Sequence, residues 1–171
     1  MQTITRFGQK TAVDEVFLAT GSGDLARMLK ALPLKSNGVD RHYLLISVVE
    51  ALYKRRDDST CQRQLVEIAY VHLRELPRLL NDLRRHDVES RRARDDERGA
   101  ANLSRDWVPP AIPTFDRLCM VMCEQGDFEA AREVWRDAVE IGYADKASLP
   151  RWFALIEKRA KRLGNPPSDS A

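Results

Sequence analysis

The sequence predicts an all-α protein, a stack of antiparallel helical hairpins closed by a C-terminal capping helix. Three observations carry that expectation. Apolar residues recur on a 3.6-residue period along most of the chain. Gly-Asp pairs punctuate them, in GDLARMLKAL at residues 23–32 and GDFEAAREVWRDAV at 126–139, each setting a helix stop before an N-cap. Composition is typical of a soluble helical protein, with 43% hydrophobic and 32% charged residues. At 171 residues the chain can hold one compact domain or a short repeat array with a buried core.

In chain order, residues 1–11 are weakly patterned and are expected to be irregular, and a single helical domain should occupy 12–163. Apolar runs from Ala12 to Ala19 and from Asp24 to Leu32 flank Thr20-Gly21-Ser22-Gly23 and read as a first hairpin, with Leu25, Met28, Leu29 and Leu32 buried. Asp40 is placed as N-cap of a helix from His42 to about Arg56. That helix is apolar on most of its circumference, through Tyr43, Leu44, Ile46, Val48, Val49, Leu52 and Tyr53, and should be central. Ser59 then caps a partner from Thr60 to Leu76, burying Cys61, Leu65, Ile68, Ala69 and Leu73. Pro77 is expected to break that helix or start the next one, which carries Leu79, Leu80 and Leu83. Dense mixed charge over about 86–106 predicts a mobile linker or a fraying helical extension, after which Trp107 and Val108 dock the chain back onto the core. Asp145 or Ser148 caps the last helix, Leu149 to Leu163, with Trp152, Phe153, Leu155 and Ile156 buried. Residues 164–171 are read as a disordered tail.

The most informative stretch is Pro113 to Gly142. Phe115, Leu118, Cys119 and Met122 form one apolar stripe, and Gly126 stops the helix at a left-handed position. Asp127 caps its successor, with Glu129 in the first turn, and Phe128, Ala131, Val134, Trp135, Ala138 and Ile141 form the second stripe before Gly142. So short a turn makes the two helices antiparallel neighbours. The segment resembles the tetratricopeptide repeat. Phe115 matches its first aromatic position, Leu118 and Cys119 its large-then-small pair, and Ala131, Trp135 and Ala138 its Ala, aromatic, Ala series. It departs by having Met122 where a tyrosine is usual and no proline after the second helix. It also resembles the pentatricopeptide repeat, through Gly142 and Asp145. The resemblance covers residues 113–142 and implies a right-handed stack of hairpins around a concave groove.

Net charge is only +2, and the positive share is mostly arginine, so bulk electrostatics do not announce a nucleic-acid binder. No apolar run is long enough to span a membrane, and the N-terminus lacks the order of a signal peptide. Three cysteines, Cys61, Cys119 and Cys123, form no even disulfide framework, which fits a reducing cytoplasm.

The same residues argue against chemistry. Cys119 and Cys123 are four apart on one helix, but a structural zinc site needs about four ligands, so they read as core. His42, His72 and His86 share no motif with a nucleophile or acid. Gly21-Ser22-Gly23 lacks the lysine and the preceding strand of a phosphate loop. We therefore expect no enzyme, no metal and no cofactor. Arg84, Arg85, Arg91, Arg92, Arg94 and Arg98 are the best charged contact, although Asp87, Glu89, Asp95, Asp96 and Glu97 interleave with them and favour a solvated face.

The expected function is a protein-binding adaptor, with self-association as a variant. The resemblance implies that first helices line the groove, at Asp116, Met120, Cys123 and Glu124, with Glu50 and Lys54 from the earlier hairpin. Methionine and carboxylates there suit a basic peptide segment. The alternative is an RNA-binding repeat of the pentatricopeptide kind, read through Asp116 and Asp145, which the near-neutral charge disfavours.

Overall fold

A computed structural model of the chain describes residues 3–6, 9–94 and 96–164. It is helical apart from its N-terminus, where β1 (Thr3–Arg6) and β2 (Gln9–Ala12) pair as an antiparallel ribbon with Thr3 opposite Ala12. This corrects the irregular segment expected at 1–11. Its strands TITR and QKTA contain three threonines and an isoleucine, β-branched residues that favour extended backbone.

The first helical pair matches expectation. α1 (Glu15–Ser22) is capped by Asp14, which accepts from the Phe17 N–H at 2.9 Å, and stops at Gly23 with φ 67°. Asp24 then caps α2 (Leu25–Ala31). Gly21-Ser22-Gly23 therefore closes a helix. Leu25 and Met28 are buried, whereas Leu29 and Leu32 are partly covered.

α3 (Gly38–Tyr53) begins earlier than its predicted cap. Asn37 is the N-cap and accepts from the Asp40 N–H, while its amide donates to the Asp40 carboxylate at 2.6 Å, so Asp40 lies inside the first turn. Gly38 permits a close approach to the neighbouring helix, since a Cβ there would stand 2.7 Å from the Asp82 Cβ. Leu44, Leu45, Val48, Val49 and Leu52 are fully buried, which makes α3 the central helix; Tyr43 is 41% exposed.

α4 (Ser59–Arg92) corrects two expectations. Its cap is Asp58, one residue before Ser59, accepting from the Cys61 N–H at 2.8 Å. Pro77 neither ends nor starts a helix; the helix runs through it for 34 residues, about 50 Å. Over the charged stretch at about 86–106, α4 continues to Arg92 and α5 (Glu97–Asp106) follows, capped by Asp96, so of the two forms expected there the helical extension is the one that matches. The reason is a continuing apolar stripe, since Leu76, Leu79, Leu83 and Val88 are all buried and Ala100 of α5 is covered. Trp107 docks as expected, its indole N–H donating to Asp87 at 2.9 Å, but Val108 is 78% exposed.

α6 (Pro113–Glu124) and α7 (Phe128–Glu140) form the predicted hairpin. Gly126 has φ 78°; its N–H bonds the Cys123 carbonyl and the Asp127 N–H bonds the Met122 carbonyl, the double closure of a Schellman stop. Gly142, with φ 80°, closes α7 in the same way. Asp145 caps a 3-10 turn, Lys146–Ser148, which leads into α8 (Leu149–Gly164). The remainder of the tail expected at 164–171 lies outside the described residues.

α3 and α4 pack as one antiparallel pair, α6 lies against both, α7 covers α6, and α8 packs on α7 and touches α6. α1 and α2 lie on α3, and α5 on α4. A ladder of rings ties the later layers together. Tyr143 stacks on Phe115 at 4.8 Å, Phe115 faces Trp135 at 6.2 Å, and Trp135 stacks on Trp152 at 3.6 Å. Of the α8 residues expected in the core, Ile156 is buried and Trp152 and Phe153 half-buried, but Leu155 points out, 43% exposed. No described helix is long and apolar enough to cross a membrane.

Candidate functional site

The outer face of α6 carries Asp116, Met120, Cys123 and Glu124. Met120, Cys123 and Glu124 line an open cavity of about 420 Å³ whose other wall is Arg159, Arg162 and Leu163 of α8. Cys123 is almost wholly covered and forms floor, Met120 is half-buried, and Glu124 and Asp116 are exposed. Although Asp116 reaches solvent, partial desolvation by its neighbours raises its proton affinity, while Arg117 and Arg159 lower it and Glu50 raises it further. Sequence reasoning missed the α8 wall, because a basic helix end reads locally as dipole compensation.

Glu50 and Glu124 are already engaged. The Arg117 guanidinium donates to Glu50 at 2.7 and 3.3 Å, and Arg56 donates to Glu124 at 3.1 Å. Both arginines lie over the Tyr53 ring, at 4.6 and 4.2 Å. These groups knit the end of α3 to α6, so two of the predicted contact residues are held in structural pairs, and of the two Glu124 lines the cavity. Lys54 stands exposed at the C-cap of α3, without a salt bridge among the described residues.

Among the described residues, five of the six arginines, all but Arg98, are engaged within the fold. Arg84 donates to the Ser104 carbonyl, Arg85 to Asp82 at 2.7 Å and Arg94 to the Ser90 carbonyl at 3.1 Å. Arg91 pairs with Asp96 at 3.2 Å and Arg92 with Glu97 at 3.8 Å. A solvated face that fastens α5 to the end of α4 accounts for these residues.

One constellation was not read from the sequence. His42 of α3, His72 of α4 and Thr114 of α6 are all fully buried. His72 Nδ1 lies 2.7 Å from Thr114 Oγ1, and His72 Nε2 lies 3.0 Å from His42 Nδ1. His42 Nε2 has no hydrogen-bond partner among the described residues. Burial depresses both rings, His42 to about 4 and His72 to about 3, with His42 and Arg41 adding to the effect on His72. Both rings are therefore neutral at physiological pH and join three helices through one polar thread.

The thiols behave as core. Burial pushes Cys119 up to about 12 and raises Cys123, which keeps both protonated. Among the described residues no group of three His, Cys, Asp or Glu is placed to hold a metal ion. No protein-family model, curated protein or solved structure matches the chain.

Proposed function

We propose that this chain is a non-catalytic adaptor, a tetratricopeptide-like stack that takes a protein segment in the groove between α6 and α8. The observation that carries the reading is the joint lining of one open cavity by Met120, Cys123 and Glu124 with Arg159, Arg162 and Leu163. Apolar floor flanked by charge is the usual form of a helix-binding groove. The packing order supports the repeat reading, since the α3–α4 pair meets α6 of the next pair and α8 follows α7 as a cap.

The test is affinity capture from the native host's lysate with the full chain and with Met120→Glu, each with and without nuclease. A specific protein that survives nuclease and is lost with Met120→Glu supports the adaptor. Co-purified RNA released by salt, with no protein enriched, overturns it in favour of an RNA-binding repeat. Melting curves of the two chains must coincide for the comparison to count.

A further inference from the structure

The free charge in the groove has the opposite sign to the one its first helix suggests. α8 holds Arg151, Lys158, Arg159, Lys161 and Arg162 against one carboxylate, Glu157, so this helix alone is more positive than the whole chain at +2. Several arginines elsewhere are tied into ion pairs, as Arg41 is with Glu75 and Arg117 with Glu50. None of the five α8 cations makes a salt bridge among the described residues. Glu124 of the facing wall is held by Arg56, and Glu50 of α3 by Arg117, leaving Asp116 the one predicted groove carboxylate without a salt bridge among the described residues.

The apolar part is placed to match. Leu155, Arg159 and Arg162 lie at i, i+4 and i+7, one stripe of α8, and Leu163 follows Arg159 by one turn. Leu155 and Leu163 are 43% and 55% exposed, and Leu163 lines the cavity together with Met120. Arginine rather than lysine stands at both cavity positions of α8, and its planar fork matches a carboxylate in two-point contact.

Resting on the adaptor reading above, we infer that the groove takes an acidic amphipathic segment, whose carboxylates meet Arg159 and Arg162 while its apolar side chains rest on Met120 and Leu163. This reverses the basic partner suggested by Met120, Glu124 and Asp116 alone. No aromatic ring lines the cavity to stack an unpaired base, which favours a protein carboxylate over single-stranded nucleic acid.

The test is selection of a random peptide library displayed on phage against the full chain, followed by anisotropy measurements with the best synthetic peptide. The selected pool should be rich in Asp, Glu and Leu. Its affinity should fall at least tenfold in Arg159→Glu/Arg162→Glu, and a Glu→Lys version of the peptide should recover binding to that double variant. Arg162 is exposed, so Arg162→Glu alone, expected to weaken binding severalfold, carries the test if the double variant melts early. A basic pool whose binding is lost with Met120→Glu overturns this inference and leaves the adaptor reading intact. Acidic peptides that ignore both Met120→Glu and the arginine variants remove the groove from it. Absence of any enrichment, or displacement of selected peptides by a mixed-sequence RNA oligonucleotide, overturns both readings.

Discussion

Residue by residue, the least expected feature is the His42–His72–Thr114 thread. Both histidines titrate near 6.5 in an unfolded chain but are held at about 4 and 3 by burial in the folded one. Below pH 6.5 the unfolded state therefore binds protons that the folded state refuses. Stability is full above that value, falls as pH drops toward 4 and 3, and levels off beneath them. At pH 5 the loss should be roughly 2 kcal/mol per histidine. Denaturant melts at pH 7 and 5 check this above the carboxylate range, and a stability that is flat between them would contradict a neutral buried pair. The positions were legible, since His72 continues the stripe of Leu65, Ala69 and Leu76, and His42 precedes Leu45, Val49 and Leu52 by whole turns. The partnership was not, because residues 42, 72 and 114 share no local pattern and meet only after three helices pack.

Among the elements, α4 is where local signals and packing part company. Pro77 lacks the N–H that would bond the Leu73 carbonyl, and its ring crowds the preceding turn. The helix persists because Leu73, Leu76 and Leu79 on either side are buried against α3 and its neighbours. Pro77 itself is exposed, so Pro77→Ala restores a donor without opening a cavity. It should stabilise the fold by about 1–3 kcal/mol, read as a higher urea midpoint at unchanged slope. A lower midpoint would mean that Pro77 supplies a constraint or contact that alanine does not replace. The α6–α7 hairpin is the opposite case. Gly126, Asp127 and Gly142 act through the backbone of adjacent residues alone, so their roles could be read directly. Asn37, Asp58 and Asp96 cap by the same local rule, and the errors at Asp40 and Ser59 are shifts of a few residues at helix ends.

For the whole molecule, burial is uneven. α3 is covered on most sides, whereas α8 contributes only Ile156 as a fully buried residue and is held by the Trp135–Trp152 stack and the Arg136 guanidinium over Phe153. α8 should therefore open below the global unfolding free energy. Native-state hydrogen exchange should show its amides less protected than those of α3. Equal protection in both helices would make the groove wall rigid. A wall that opens independently lets α8 adjust to an occupant, which is the mechanical form the adaptor proposal takes.

What the sequence by itself determined is everything set by neighbours along the chain: helical class, the central rank of α3, and the stops and caps of the α6–α7 hairpin. These follow from periodicity and from backbone geometry at Gly and Asp, which act over a few residues. Tertiary structure alone decided that Pro77 and the charged run after it stay helical, that His42 finds His72, and that Glu50 and Glu124 are neutralised by Arg117 and Arg56. It also brought the cations of α8 opposite Met120 and so set the sign of the groove's free charge. The physical reason is common to all of these. Burial and ion pairing depend on which distant groups share a space, and that is fixed by packing rather than by spacing in the chain.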